Sequence, residues 1–208
     1  MFWYDTGFDE DRLSQGEILF NCSVIEPQVT LDEFQSSKTD LTADIIQGSF
    51  VILSQSCDLE QDTIEMVVLS PLYSVGRFVA NDPSLCAKAH QCSETKGILI
   101  PSQEPEREQT FLRLAQECKS VRRHIDKIRR GDQPAYHLLN EKPDTGLPFS
   151  VVDFHRIYSA PKPYLLELAR SQNPRIRLRP PYREHLSQAF ARYFMRVGLP
   201  ADIREFAE

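Results

Sequence analysis

Several things are missing from this chain, and each absence narrows what it can be. No stretch approaches the ~18 consecutive apolar residues that a membrane-spanning helix needs, so no membrane contact of that kind is expected. The opening residues, MFWYDTGFDEDR, have no basic start, no long apolar core and no small-residue cleavage site, and do not read as a signal peptide. There are no internal repeats and no low-complexity linker. Cysteine is sparse and odd in number, five in 208 residues. Without an export signal, five cysteines point to free thiols or metal ligands in a reducing cytoplasm.

What is present suits one large domain, or one domain carrying an insertion, since 208 residues with 41% hydrophobic content can bury a core without disulfide staples. The net charge of −6 hides a division. Residues 1–118 hold 7 Lys and Arg against 20 Asp and Glu, a balance of −13, whereas residues 119–196 hold 16 against 7, a balance of +9. Two readings stay open. The halves neutralise one another, across a dimer if one forms, or the basic part offers a local field to nucleic acid.

The centre of the chain is Phe50 to Val75, two apolar runs joined by a polar loop. Phe50-Val51-Ile52-Leu53 and Met66-Val67-Val68-Leu69 read as buried strands, with Gly48 before the first and Pro71 closing the second. Cys57 and Asp58 lie in the loop between them, where a strand end can present side chains for chemistry.

In chain order, residues 1–13 read as an acidic, aromatic arm that docks Phe2, Trp3, Tyr4 and Phe8 on the body or a partner. Gly16 to Cys22 reads as a first strand, and Glu26 to Ile46 as a long polar loop with one helical turn near Leu31–Phe34. After the central strands, Ser84–His90 reads as a short helix and Gly97–Ile100 as a small edge strand. From Pro105, Phe111, Leu114, Cys118, Val121, Ile125 and Ile128 recur every three or four residues, predicting one long helix that stops at Gly131. Glutamates crowd its start and Lys127, Arg129 and Arg130 its end, which suits the helix dipole. Strands are expected at Ala135–Leu139 and Phe149–Tyr158, with a turn at Lys142–Gly146. A short helix at Pro163–Arg170, an exposed strand at Arg175–Arg179 and an amphipathic helix at Pro181–Leu199 complete the chain.

Three pieces carry a resemblance to a known family: Gly16-Glu17-Ile18-Leu19-Phe20; Phe50–Ser54 with Val67-Val68-Leu69-Ser70-Pro71-Leu72; and Ser150–Ile157 with a helix ending Arg196-Val197-Gly198-Leu199. Together they resemble the opening strand, the central hairpin, and the last strand and terminal helix of the MazF/PemK (Kid/CcdB-like) toxins. The resemblance implies an α+β fold: an SH3-like β-barrel core at about 14–76 and 134–160. A helical insertion at about 77–133 and a C-terminal helical segment at about 161–208, with its amphipathic helix, complete it. It also implies a toxin–antitoxin or phage-defence setting. The family's ribonucleases carry an Arg before the opening Gly, where this chain has Gln15, and a working Thr or Ser that would fall at Tyr73 or Ser74. Their RNA-cleaving residues are therefore not carried over.

Four constellations invite chemistry. Cys57, Cys86, His90 and Cys92 supply a Cys3His set for a structural zinc that would pin the insertion to the barrel; the plainer account is cysteines packed as small hydrophobes. Cys57 beside Asp58 suggests a nucleophile or redox centre, although a carboxylate neighbour works against thiolate formation unless a histidine such as His137 or His155 intervenes. Arg122, Arg123, Arg129 and Arg130 on the long helix, with Arg175, Arg177, Arg179 and Arg183 downstream, suit phosphate contacts, while a solvated helix face would look the same. Asp153 and His155, two apart on a strand, form a potential acid–base pair next to Arg156. The expectation is a module that binds RNA or DNA, or a protein partner. The alternatives are an endoribonuclease rebuilt around Asp58, His155 and Arg156, and an assembly subunit whose acidic half meets a basic neighbour.

Overall fold

Strands buried on both faces should be apolar throughout, and helices must then cover each face. The computed structural model, which describes residues 3–6, 11–28 and 42–195, has this arrangement. Its described residues form eight strands: β1 (Tyr4–Asp5), β2 (Glu17–Gln28), β3 (Thr42–Ile52), β4 (Met66–Ser74), β5 (Tyr136–Leu139), β6 (Ser150–Asp153), β7 (Tyr158–Pro161) and β8 (Ile176–Leu178). Seven α-helices accompany them: α1 (Ser56–Glu60), α2 (Val75–Asn81), α3 (Pro83–Lys96), α4 (Glu106–Glu117), α5 (Lys119–Arg129), α6 (Lys162–Arg170) and α7 (Tyr182–Phe194).

All the strands pair antiparallel in one sheet, ordered β1-β8-β2-β3-β4-β6-β5, with β7 alongside the first half of β4. The sheet is open, in contrast to the closed barrel expected. It curls until its two ends approach, and the Tyr4 hydroxyl in β1 donates to the Asn140 carbonyl just after β5 at 2.5 Å, but no ladder joins these edges among the described residues. One face packs Ile18, Val51, Leu72, Val152, Ile176 and Leu178 against Leu186 of α7. The other packs Leu19, Phe50, Ile52, Val67 and Leu69 against Leu165 and Ala169 of α6 and Leu59 of α1. Neighbouring residues such as Ile18 and Leu19 thus face opposite layers, as a period of two requires.

Between β4 and β5 the chain builds α2–α5 around a third core containing Phe78, Leu85, Phe111, Leu114, Val121 and Ile128. Ser74 and Asp82 start α2 and α3 by accepting the amides of Arg77 and Leu85, and Gly97 ends α3 in the left-handed region at φ 64°. The single helix expected from 105 to 131 is instead broken at Cys118, whose extended backbone separates α4 from α5 and whose sulfur is bonded to Cys92 of α3. The apolar spacing survives the break because both halves bury the same stripe against α2 and α3. Cys92 and Cys118 are therefore joined, not the free thiols anticipated.

Other expectations change as well. Glu26–Ile46 is in part strand: β2 and β3 run on as a hairpin in register from Cys22↔Gly48 to Gln28↔Thr42, while the turn expected at Leu31–Phe34 lies outside the described residues. Gly97–Ile100 is not a strand, because Gly97 serves as the stop of α3. Pro71 sits inside β4, where that strand's outer edge changes partner from β7 to β6 and a missing N–H is tolerated. The strand expected at Phe149–Tyr158 divides into β6 and β7 around a corner at residues 154–157. Of the N-terminal arm, Tyr4 joins the sheet and Trp3 stacks on Tyr182, while Phe2 and Phe8 lie outside the described residues. The amphipathic helix expected at the other end runs as α7 to Phe194, and its expected close at Arg196–Leu199 again lies outside the described residues.

Glu17 and Arg175 lock β8 onto β2. Arg175 Nε donates to Glu17 Oε1 at 2.7 Å, and its Nη2 donates to the Arg12 carbonyl at 2.7 Å. The Glu17 and Arg175 side chains are 1% and 6% exposed, so neither charge has water to fall back on. Burial pushes the Glu17 carboxyl upward, against the pull of Arg175 and of the Ser14 amide. Arg175→Ala leaves that carboxylate buried and unpaired, and should lower unfolding free energy in urea titrations by about 3–5 kcal/mol. Replacing both partners with apolar residues should recover most of the loss.

Candidate functional site

Helix α5 turns Val121 and Ile128 inward, and the 100° step per residue then carries its cations outward. Lys119, Arg122, Arg123, Lys127, Arg129 and Arg130 are all exposed. Arg129 pairs with Asp126 and Arg130 with Asp132, each at 3.2 Å, but Arg122, Arg123 and Lys127 form no ion pair among the described residues. Lys119, Arg122, Arg123, Asp126 and Arg130 line a shallow depression of about 190 Å³. Arg130 also borders a cleft of about 650 Å³ between α5, β5 and α7, so the two form one basic surface. In the larger cleft Arg129 and Arg130 meet Arg192 and His185 of α7, with His137 of β5 and Trp3 also on its walls. Among the described residues no Asp or Glu lines it.

The downstream arginines fare differently. Arg175 is buried against Glu17 and cannot reach an external phosphate, which corrects its placement on a nucleic-acid surface. Arg177 donates to Ser14 Oγ at 3.1 Å and to Asp5 at 3.3 Å, and Arg183 holds Glu184 at 2.7 Å. Arg179 is exposed. The two arginine groups that look alike in sequence thus separate: all four of the α5 group are exposed and two of them make no ion pair among the described residues, whereas Arg175, Arg177 and Arg183 are committed to Glu17, Asp5 and Glu184.

The cysteine and histidine set does not come together. Cys57 is exposed on α1, with Gln55 Oε1 and Asp58 Oδ1 at 3.5 and 3.7 Å from its sulfur. Cys86 is half-buried on α3, where His90 sets its ring edge-on to Phe111 at 5.9 Å, and the sulfur of Cys92 is committed to Cys118. Helix α1 packs on the sheet and α3 belongs to the insertion core, which is why spacing alone misplaced these four. Among the described residues no three His, Cys, Asp or Glu side chains converge in the manner of a metal site. Nor does Cys57 have a cation or histidine among its hydrogen-bond partners to favour a thiolate.

Asp153 and His155 do meet, in the corner after β6. Asp153 Oδ1 lies 2.8 Å from His155 Nδ1 and accepts the His155 amide at 3.0 Å, while Tyr136 and Tyr193 set edge-on against the imidazole at 5.1 and 5.7 Å. Asp153 and Arg156 border a cleft of about 400 Å³ with Tyr73, Tyr136 and Asp82. Through Tyr73, Asn81 and Arg156 it continues into a second cleft of about 500 Å³ that holds Arg77, Ser74 and Glu108. Burial raises the Tyr73 hydroxyl's pKa, with Arg156 pulling the other way, so the phenol remains a proton donor near neutral pH. No hydrogen bond or ion pair joins Cys57 or Asp58 to His155 or Arg156 among the described residues. Asp58 instead borders a groove with Phe190 and Phe194 of α7.

Trp3, His185, Arg192 and Arg77 escaped attention as site residues in the sequence. Trp3 had a signal, its place in an aromatic arm. Nothing local to Arg192 or His137 shows that α7 and β5 will stand beside Arg129.

The class defined by these observations is an α+β protein with a curled, open antiparallel sheet and an arginine-rich face built jointly by an inserted helix and the last described helix. No protein-family model, curated protein or solved structure matches the chain. Among the described residues no helix is long and apolar enough to cross a membrane.

His137 leaves a measurable signature. Burial, with a smaller contribution from His185, depresses its pKa from 6.5 to about 4. The unfolded chain therefore binds a proton that the native state excludes, and the stabilisation present above pH 6.5 is lost as pH falls toward 4. His124, also depressed by burial, adds in the same direction. Between pH 7 and 4.5, His137→Asn should lose about 2 kcal/mol less unfolding free energy than the parent in paired urea titrations.

Proposed function

We propose that this chain is a nucleic-acid-binding module, an enlarged relative of the SH3-like MazF/PemK toxins that contacts phosphates through the outer face of α5 and Arg192. The observation that carries the reading is the set of exposed cations, Arg122, Arg123, Lys127 and Arg192: among the described residues they make no ion pair, and no carboxylate lines the main cleft of their surface. Unpaired guanidinium groups are suited to bidentate phosphate contacts. The toxin or defence setting rests on the sequence resemblance.

Arg122→Glu combined with Arg123→Glu should weaken binding of a mixed-sequence RNA or DNA at least tenfold near 0.1 M salt. It should also make the plot of log K against log salt shallower by about 2, one for each phosphate contact removed. Affinity that survives both reversals sinks the proposal. Co-purification with an acidic protein, in the absence of nucleic-acid affinity, would assign the same face to a protein partner.

A second reading has an observation of its own, the Asp153–His155 pair, whose Asp153 borders a cleft with Arg156 and Tyr73. Asp153 orients the imidazole as a general base, and Arg156 would hold a phosphodiester, which is the arrangement an endoribonuclease needs. On this reading the purified protein cleaves RNA, and His155→Ala slows cleavage by about two orders of magnitude or more. An absence of cleavage across a broad panel of RNAs rules against it.

A further inference from the structure

The cleft between α5, β5 and α7 differs from the open face beside it in having walls suited to a small ligand. Its volume of about 650 Å³ lies within the range of about 300–1,000 Å³ typical of small-molecule sites. Trp3 is held flat by Tyr182, with ring centroids 4.1 Å apart and planes within 10° of parallel, so an aromatic wall is already in position. Also lining the cleft are three guanidinium groups. Arg192 has no ion pair among the described residues, and its Nη1 reaches toward Gly131, which has no side chain to block it. The surface pairs of Arg129 with Asp126 and Arg130 with Asp132 are exposed, each worth about 0–1 kcal/mol, and are readily exchanged for a phosphate.

His137 completes the wall. Its imidazole lines the cleft, yet its Nε2 is buried and has no hydrogen-bond partner among the described residues. A buried polar nitrogen left unpaired in this way is costly, but with no accessible surface it is closed to a ligand in the cleft, and the residue serves there as wall. His185 offers a ring nitrogen at the same site. Anion-binding groups, an aromatic wall and the imidazole of His185 together describe a molecule with a phosphate at one end and a planar, hydrogen-bonding ring at the other.

We propose that this cleft binds one nucleoside phosphate, its phosphate on Arg129, Arg130 and Arg192 and its base against Trp3 and the two histidines. The ligand is either a free nucleotide or the 5′-phosphorylated end of a strand; the strand-end case deepens the nucleic-acid reading above and rests on it.

Trp3 is the only tryptophan in the chain, so intrinsic fluorescence reports on the cleft directly. The full-length protein is titrated with adenosine 5′-monophosphate, adenosine, inorganic phosphate, and a decanucleotide with and without its 5′-phosphate. Saturable quenching is expected with the monophosphate or the phosphorylated decanucleotide, at least tenfold tighter than with adenosine, phosphate or the 5′-hydroxyl strand. Arg192→Glu should weaken it at least tenfold. Tight binding of the monophosphate identifies a free nucleotide as the ligand, and a preference for the phosphorylated strand identifies a strand end. If neither phosphorylated probe quenches saturably at millimolar concentration, or if Arg192→Glu leaves the affinity unchanged, the proposal is overturned. A long RNA that binds when both phosphorylated probes fail would refute the cleft and leave the α5 face intact; a bound monophosphate without RNA binding does the reverse.

Discussion

Much of this structure depends on one buried ion pair. Glu17 and Arg175 lie 158 residues apart and meet with almost no solvent contact. Their bond sits where β8 is laid on β2 in the register Glu17↔Arg177 and Ile18↔Ile176. β8 in turn carries β1, whose Tyr4 reaches across to Asn140, and it leads within four residues to the start of α7. Isolated charges would be expelled from such an interior; paired and hydrogen-bonded, they are retained. Because the geometry is demanding, the pair also opposes any slip of β8 along β2, which would turn Ile176 and Leu178 away from the core.

The functional surface inherits that placement. Helix α5 brings cations from the insertion and α7 brings Arg192 and His185 from the end of the sheet, so the cleft between them exists only while both are docked. The Cys92–Cys118 bond supports the same surface from the insertion, holding α3 against the joint at which α5 begins. Lys96 of α3 adds a bond to Glu117 at 3.2 Å at that joint. A basic face assembled from two distant segments on supported helices is better able to hold a defined ligand geometry than one carried on a loop.

Local patterns in the sequence were informative wherever local physics decides. The apolar runs at Phe50–Leu53 and Met66–Leu69 lie in or at the end of strands and bury Phe50 to Leu53, Val67 and Leu69 while leaving Met66 exposed, and the spacing of Phe111, Leu114, Val121 and Ile128 puts them in one core. The helix expected at Ser84–His90 is present, but it starts at Pro83 on an Asp82 cap and runs on to Lys96. The break at Cys118 was not legible because the same apolar spacing fits one helix or two, and only the bond to Cys92 marks the difference. The open sheet was likewise hidden, since closure depends on how far the curl proceeds and no single strand encodes it.

The candidate sites divide along the same line. Spacing along the chain is enough to turn the cations of α5 outward, and proximity in sequence is enough to let Asp153 meet His155 at 2.8 Å. By itself, then, the sequence determined the α+β character, the buried stripes and the outward run of arginines, because each follows from a repeat of two or about 3.6 residues. Only the tertiary structure decided which charges remain available. It gave Arg175 to Glu17 and Arg177 to Asp5, separated Cys57 from Cys92, and set Arg192 and His137 beside Arg129. Those partners come from segments far apart in the chain, and neutralisation between distant charges follows the path of the backbone through the fold, with no period along the sequence to announce it.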